Sequence, residues 1–393
     1  MSRSYYRFHV GILALLLIAF SSACTQQQGY SEFDGALERF GIQLAEGVTA
    51  DSIGAISASV VVGDQVIWSR GFGWADRERQ IPADAETIYR TGSISKSFTA
   101  VLMVQLAEKG ILDLDDPVEK FLPIIEYLSD KPEGTDPITL RQLASHTAGL
   151  IREPRLERAA TGPIEAWEDK IIASIPTTSF QDPPGVRYSY SNIGFGILGL
   201  TISRAAGRSF IDLVNEMIFD PLEMKSSTFI ITPELQNRLS TGYAVRRGGE
   251  INTDSPAREH AGRGYKVPNG GIYSTVGDLA RFISGQTGAS GTEILSEAGR
   301  NTMQRFQTPV RVSSSGDSSG YGFGFSLQVT PEGLHTVSHG GSVAGYNAHM
   351  IFDPVSRIGV ALLRNYTRSE INLGRVARDL LVELVQIRDE YPE

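Results

Sequence analysis

The sequence contains one cysteine, Cys24, so no disulfide can form within the chain. It contains no run of lysine and arginine, and its net charge of -9 at pH 7 disfavours a broad phosphate-binding surface. We therefore expect no nucleic-acid partner. After residue 20 no apolar run reaches the roughly 20 residues that a helix needs to span a bilayer. With 393 residues, 41% of them hydrophobic and 21% charged, the chain is expected to fold as a globular protein.

Residues 1–24 have the composition of an export signal. Two arginines precede an apolar run over residues 10–20, which is about half as long as a membrane-spanning helix, and small residues follow it. This arrangement predicts a secretory signal peptide. We therefore expect the mature protein to be exported and to reside in the cell envelope or periplasm.

The end of this segment, residues 21–24, resembles the cleavage box of bacterial lipoproteins. The resemblance implies that Cys24 carries a lipid, that residues 25–30 form a short polar tether, and that the lipid anchors the protein to a membrane. The alternative is an ordinary signal peptide cleaved nearby, which leaves a free thiol with no evident role.

Helical periodicity marks both ends of the folded part. Apolar residues recur every three or four positions over 31–46 and 371–387, which predicts two amphipathic helices. The period changes after residue 54, and the Gly63-Asp64 pair predicts a hairpin with strands at 55–62 and 65–71. A further helix, largely buried, is predicted over 93–109.

Strand patterns are concentrated near the C-terminus. They predict strands at 321–329, 334–338, 346–353 and 358–364, whereas residues 111–268 combine helical stretches with many proline and glycine breaks. The predicted fold class is α/β in the α+β sense, a mostly antiparallel sheet flanked by terminal helices. A mostly helical subdomain at about 111–268 is inserted into one domain of residues 31–393.

The first candidate catalytic pair is a serine and a lysine three residues apart, Ser93 and Lys96. On a helix, positions i and i+3 share a face with Cβ atoms about 5–6 Å apart, so the lysine can activate the serine hydroxyl. The alternative is a helix-capping serine followed by a surface lysine. However, Lys96 lies among Ile94, Phe98 and Val101, where an unpaired ammonium is costly to bury.

A second motif, Tyr190-Ser191-Asn192, precedes an apolar stretch. A tyrosine can pass a proton when nearby cations stabilise its phenolate, and an asparagine offers one acceptor and two donors to a substrate amide. Tyr190 is therefore a candidate catalytic residue and Asn192 a candidate substrate ligand. The alternative is a turn with a core-facing tyrosine before a buried helix.

The third motif, His339-Gly340-Gly341-Ser342, follows the strand predicted at 334–338. Paired glycines let a substrate backbone approach closely, and the main-chain N–H groups of Ser93 and Ser342 can converge as an oxyanion hole. His339, Gly341 and Ser342 are therefore candidate substrate-binding residues. A structural histidine at the end of a strand is the alternative.

The three motifs occur in the order found in the serine beta-lactamase and penicillin-binding protein superfamily, which the sequence resembles. The resemblance is to its class C, D-aminopeptidase and esterase type, and it covers about residues 35–388. It implies an α/β sandwich with a helical subdomain and a serine chemistry that needs neither a metal nor another cofactor. It also implies framework roles for His146 and Gly149.

The resemblance implies acyl transfer, in which Ser93 attacks a carbonyl and Lys96 and Tyr190 move its proton. It leaves open which of the two is the base. The substrate is expected to be an ester, an amide or D-amino-acid peptide, or a beta-lactam.

One position departs from the family pattern, since His339 stands where beta-lactamases and DD-peptidases usually have lysine. A histidine near its reference pKa of about 6.5 is mostly neutral at pH 7, which favours substrates without a carboxylate at that point. A penicillin-binding sensor and a non-catalytic envelope-binding lipoprotein are the alternative functions, and the sequence does not define an oligomeric state.

Overall fold

The computed structural model describes residues 30–390. The predicted signal peptide, the lipidation candidate Cys24 and residues 25–29 of the predicted tether lie outside the described residues. Within residues 30–390, no helix is both long enough and apolar enough to cross a membrane.

A nine-stranded antiparallel sheet forms the centre of the fold. The strands within residues 30–390 are β1 Ala55–Val62, β2 Gln65–Asp76, β3 Ile81–Pro82, β4 Tyr89–Arg90, β5 Ala244–Val245, β6 Ile251–Asn252, β7 Tyr273–Ser274, β8 Arg311–Val312, β9 Ser318–Tyr321, β10 Ser326–Val329, β11 His335–Val343, β12 Tyr346–Asp353 and β13 Ile358–Arg364. The order in the large sheet is β3-β2-β1-β13-β12-β11-β10-β9-β8, while β4 pairs with β7 and β5 with β6.

Helices cover the sheet, and most of them lie in the part of the chain between β3 and β8. The α-helices of the described residues are α1 Asp34–Asp51, α2 Ser95–Glu108, α3 Leu140–Ala144, α4 Trp167–Ser174, α5 Asn192–Ala206, α6 Phe210–Val214, α7 Pro233–Gln236, α8 Asp254–Glu259, α9 Val267–Gly270, α10 Val276–Thr287, α11 Glu297–Met303 and α12 Leu373–Glu390. Short 3-10 helices occur at Ser31–Phe33, Gly92–Ile94, Val118–Lys120, Pro123–Tyr127, Ile164–Ala166, Ile175–Thr177 and Gly264–Lys266, and a π-helix at Asn215–Phe219.

Two hydrophobic layers enclose the sheet, one on each face. Alternate residues of β1, such as Val60 and Val62, pack with the apolar stripes of α1 and α12, while Val61 joins the core on the opposite face. Helix α10 packs against β1 and β13. Because both faces are covered, every residue of β1 and β13 is buried, which explains why these strands are rich in apolar residues at consecutive positions.

Several predicted elements agree with the structure. The two-residue turn at Gly63-Asp64 joins β1 to β2, with Val62 opposite Gln65. Strands β12 and β13 have the predicted bounds. The opening helix extends beyond residue 46 to Asp51 because Val48 continues its buried stripe.

Two strand predictions near the third motif are wrong. Residues 321–329 form parts of two strands, β9 and β10, rather than one. The chain turns between them at Gly324, which has a φ of +71° and no room for a side chain, since a Cβ there lies 2.8 Å from that of Ala100. Strand β11 does not end at residue 338 but continues to Val343, so the third motif lies inside a strand paired with β12.

Candidate active site

Ser93 lies on a tight turn between β4 and the N-terminus of α2. Residues 95–106 of α2 are all buried, so the turn sits at the end of a helix that is fixed within the core. The main-chain N–H of Thr91 donates to the carbonyl oxygen of Ile272 over 3.0 Å. The Ser95 hydroxyl donates to Gly92 O and accepts the N–H of Ile272. These bonds attach the turn to the segment between α9 and β7.

The side chain of Lys96 contacts the side chain of Ser93. Its side chain is fully buried, and its Nζ lies 3.1 Å from Oγ of Ser93 and 2.9 Å from the carbonyl oxygen of Asn269. Within residues 30–390, no carboxylate forms an ion pair with this nitrogen. Burial, assisted by the charges of Lys266 and Arg152, lowers the pKa of Lys96 well below its ordinary value. The site therefore favours a neutral amine next to the serine hydroxyl.

Tyr190 precedes α5 and packs over Lys96, whose Nζ lies 4.9 Å from the centre of the tyrosine ring. Helix α5 begins here because the Ser191 hydroxyl accepts the N–H of Gly194 and caps the helix. Burial raises the pKa of Tyr190 to about 12, although a hydrogen bond with Ser93 and the positive charge of Arg152 both act to lower it. The phenol is therefore protonated at neutral pH and can donate its proton.

His146 packs against Tyr190 and forms hydrogen bonds to the residues next to it. Its ring centre lies 4.2 Å from that of Tyr190, and its Nδ1 accepts the main-chain N–H of Ser191 over 3.1 Å. Its own carbonyl oxygen accepts the N–H of Ser189 over 2.7 Å. His146 adopts a φ of +59°, which costs a non-glycine residue free energy. His146, for which the resemblance implies a framework role, thus accepts hydrogen bonds from the residues on both sides of Tyr190.

The third motif places its histidine away from solvent. His339 is 5% exposed; its Nδ1 lies 2.8 Å from Gly340 O, and its Nε2 lies 3.1 Å from the Tyr321 hydroxyl. Because a carbonyl only accepts, Nδ1 donates and Nε2 accepts the tyrosine proton. Burial, with the charge of Lys96, lowers the pKa of His339 to about 3. The imidazole is neutral, and neither ring nitrogen is left for a substrate.

Gly341 and Ser342 bring β11 against the serine turn. A Cβ on Gly341 would lie 1.9 Å from Thr91 O, and one on Gly92 would lie 2.9 Å from Ser342 N. Side chains at either glycine would therefore push the strand and the turn apart. The close approach brings the backbone of Ser342 next to the turn that carries Ser93, as an oxyanion hole requires.

Asn192, the predicted substrate ligand, forms hydrogen bonds to other residues around the site. Its Nδ2 donates to Oε1 of Glu153 over 2.6 Å, and its Oδ1 is buried without a hydrogen-bond partner among the described residues. Its main-chain oxygen accepts from the side chain of Asn269, the residue whose carbonyl holds Lys96. The structure therefore ties Asn192 to the wall of the site.

A cavity of about 1140 Å³ opens over these residues. The predicted site residues that line it are Ser93, Tyr190, His339, Gly341 and Ser342. Lys96 and Asn192 are not among the residues that line it. A second cavity of about 870 Å³ shares Tyr188, Tyr321 and His349 with it. The two together are large enough for a peptide-sized substrate.

The motifs did not identify four residues that complete this site, namely Arg152, Glu153, Asn269 and Tyr321. None of them has a chemical pattern of its own, because each acts through a contact with a residue far along the chain. The available signal was the framework role that the resemblance implies for His146 and Gly149, which lie just before Arg152 and Glu153 in the sequence.

The profile of the beta-lactamase family matches residues 43–382 of this chain. The protein belongs to the beta-lactamase family. The predicted resemblance to serine beta-lactamases and penicillin-binding proteins is thus confirmed, and the protein is placed among hydrolases of that superfamily.

This beta-lactamase family member is similar to proteins from distant organisms. It is 28% identical over 341 residues to beta-lactamase-like protein 2 of Dictyostelium discoideum, an alignment that covers 86% of this chain and 59% of that protein. It is 27% identical over 347 residues to the D-alanyl-D-alanine-carboxypeptidase/endopeptidase AmpH of Escherichia coli (strain K12), covering 84% and 85% of the two chains.

A solved structure confirms the predicted fold class of the family member. The octameric penicillin-binding protein homologue from Pyrococcus abyssi superimposes with a TM-score of 0.73 at 27% identity, covering 91% of this chain and 79% of that one. The large antiparallel sheet with flanking helices is therefore the architecture of the beta-lactamase and transpeptidase type.

Proposed function

We propose that the protein is a serine hydrolase that forms an acyl-enzyme through Ser93. The observation that carries this proposal is the 3.1 Å distance between Oγ of Ser93 and Nζ of a fully buried Lys96. A lysine without a buried carboxylate partner is costly unless it is neutral, and a neutral amine at this distance can accept the hydroxyl proton.

The electrostatics of Lys96 and Tyr190 support a proposed role for each of them. Burial lowers the pKa of Lys96 well below its ordinary value and raises that of Tyr190 to about 12, so it favours the uncharged form of both groups. The Lys96 amine takes the proton from Ser93 as Oγ bonds to the substrate carbonyl carbon. The Tyr190 hydroxyl gives its proton to the leaving group and regains one from Lys96. Water then attacks the acyl-enzyme with the same groups acting in reverse.

The negative charge on the attacked carbonyl oxygen needs nearby donors. The main-chain N–H groups of Ser93 and Ser342 are proposed to supply them, because β11 packs directly against the serine turn. The N-terminal end of α2 adds a favourable dipole at the same point.

The proposed substrates are esters, amides or D-amino-acid peptides without a carboxylate beside β11. This choice rests on His339, which is neutral and has both ring nitrogens occupied, so it cannot replace the full charge of a lysine. A beta-lactam can enter the same cavity, but we expect it to be a poor substrate.

Three reagents test the proposal on the purified protein: chromogenic esters, a fluorescent penicillin and a fluorophosphonate. We expect ester turnover and fluorophosphonate labelling by the wild type, and neither by Ser93→Ala with an unchanged circular dichroism spectrum. Stable labelling without turnover would identify a penicillin-binding sensor instead. Neither labelling nor turnover would identify a non-catalytic scaffold.

The proposed location is the cell envelope, with the protein held by a lipid on Cys24. This part of the proposal rests on the composition of residues 1–24 and the sequence before Cys24. We expect a radiolabelled fatty acid to be incorporated into the wild type but not into Cys24→Ala. A fully soluble, unlabelled wild-type protein would contradict the anchor without affecting the proposed hydrolase.

A further inference from the structure

The side chain of Arg152 lines the catalytic cavity with free hydrogen-bond donors. It is 63% exposed, and its guanidinium carbon lies 4.8 Å from the centre of the Tyr190 ring. Within residues 30–390, its ion pair is a 3.9 Å contact from Nε to Glu153, and neither Nη atom donates a hydrogen bond. Contact with the ring restrains the guanidinium while its outer N–H groups remain available to a ligand.

The neighbouring carboxylate does not neutralise this guanidinium. Oε1 of Glu153 accepts the 2.6 Å hydrogen bond from Asn192. Its Oε2 accepts a hydrogen bond from the Tyr265 hydroxyl and lies 3.2 Å from Nζ of Lys266. Two cations therefore share one carboxylate, and the cation with the longer contact is Arg152. This wall of the cavity carries a net positive charge.

The other arginines that line the cavity donate hydrogen bonds to the protein itself. Arg364 is 6% exposed and donates to the carbonyl oxygens of Tyr366 and Ile371 and to Oδ1 of Asn347. Arg368 donates to two main-chain carbonyl oxygens over 3.4 Å. Nε and Nη2 of Arg368 have no hydrogen-bond partner among the described residues, but the arginine of the described lining whose guanidinium contacts Tyr190 is Arg152.

We propose that Arg152 binds a carboxylate of the substrate, an inference that rests on the proposed function of Ser93. A guanidinium can bind a carboxylate through two parallel N–H···O bonds, which are shorter and stronger than bonds between neutral groups. The preferred substrates are then esters or amides with a carboxylate on the Tyr190 side of the cavity. The strand side, where His339 is neutral, contributes no such charge.

Matched pairs of activated esters test the proposal at low ionic strength. The mono-4-nitrophenyl ester of adipic acid against 4-nitrophenyl hexanoate places the carboxylate in the acyl part. The pair of 3-carboxyphenyl acetate and phenyl acetate places it in the leaving group. We expect wild-type kcat/KM to favour the carboxylated member of at least one pair by about tenfold or more, the effect of a hydrogen bond to a charged group.

Variants of the arginine assign this preference to its side chain. Arg152→Gln should abolish the preference for the carboxylated ester, so that the two kcat/KM values of a pair become equal. Arg152→Lys should retain part of the preference. The main-chain carbonyl of residue 152, which accepts the N–H of Asn192 over 2.8 Å, is present in both variants. The ratio cancels any effect of the charge on Tyr190, since both esters are hydrolysed by the same variant. Arg155→Gln, an exposed position on the same segment outside the cavity lining, should keep the wild-type ratio.

The outcomes separate this inference from the proposed function. If the wild type hydrolyses both members of each pair equally, or if Arg152→Gln keeps the preference, carboxylate binding by Arg152 is wrong while the serine hydrolase stands. If the wild type hydrolyses none of the four esters, or if Ser93→Ala hydrolyses them equally well, the proposed function fails and the inference fails with it.

Discussion

The amino group of Lys96 donates a 2.9 Å hydrogen bond to the main-chain carbonyl oxygen of Asn269. The segment that follows Asn269 also binds the serine turn, because Ile272 O accepts the N–H of Thr91. One segment therefore sets the positions of both the proposed base and the nucleophile. A carbonyl oxygen orients the amine without the full negative charge that would keep it protonated.

Tyr190→Phe should lower kcat for ester hydrolysis by about 10²–10⁴-fold while the protein remains folded. The ring contacts with His146 and Arg152 do not require the hydroxyl, so the substitution removes the proton donor alone. Steady-state kinetics with phenyl acetate, whose leaving group is more basic than 4-nitrophenolate and gains more from a proton donor, and a thermal melt measure the two effects. A rate close to that of the wild type would exclude Tyr190 from proton transfer.

Lys96→Met should abolish turnover and change the dependence of stability on pH. The unfolded chain binds a proton at Lys96 below about pH 10.4, whereas the folded chain releases it at a lower pH because burial lowers the pKa. The wild type therefore gains stability as pH rises through that interval, and the variant lacks this gain. We expect the free energy of unfolding of Lys96→Met, relative to wild type, to decrease between pH 7 and pH 9.5 in urea titrations. A difference that does not vary with pH would mean that the folded lysine is charged.

Acid should destabilise the protein through histidines that are buried or half-buried. Burial lowers the pKa of His260 and His349 to about 4 and that of His339 to about 3, and it lowers that of His146 as well. Below about pH 6.5 the unfolded chain takes up these protons and the folded chain does not, so the free energy of unfolding falls as pH decreases.

Each such histidine contributes up to about 1.4 kcal/mol per pH unit to this loss. Urea denaturation at pH 7.5, 6 and 5 measures the slope. His349→Gln removes one titrating group that forms no hydrogen bond among the described residues. It should reduce the number of protons taken up on unfolding by about one, and the slope of unfolding free energy against pH should fall accordingly. An identical slope in the variant would show that His349 is already protonated or exposed in the folded state.

Penicillin should be hydrolysed poorly, because the strand that borders the serine turn provides no cation for its carboxylate. We expect kcat/KM for benzylpenicillin to lie far below the diffusion ceiling of about 10⁸ M⁻¹s⁻¹ and below the value for an activated ester. Comparison of the two substrates with one enzyme preparation measures this. A penicillin efficiency near the ceiling would overturn the assignment based on His339.

The sequence predicted those parts of the fold and site that depend on local patterns. A hairpin with a two-residue turn, a helix with a buried stripe, and a serine and lysine three residues apart are all short-range features. The 3.1 Å contact between Ser93 and Lys96 follows directly from that spacing. The order of the three motifs then allowed the family to be recognised.

Contacts between distant segments were not predictable in the same way. Nothing around Asn192 indicates that Glu153 binds its amide, since that contact depends on how two loops pack. Similarly, the strand predicted at 321–329 is broken by the approach of residue 324 to α2, and the alternation of its side chains does not reveal this. His339 was given a substrate role from its position, whereas its ring nitrogens are occupied by Tyr321 and its own neighbour.

The pairing of β1 with β13 has a consequence for how the protein folds. Ser59 lies opposite Ala361, so the sheet cannot close until nearly the whole chain has been synthesised, and contacts of such long sequence separation slow folding. The third motif, which packs against the serine turn, is also synthesised late because it lies near the C-terminus. Ser93 is synthesised early but gains its surroundings only when the C-terminal strands arrive. The environment of the proposed nucleophile is therefore complete only at the final stage of folding.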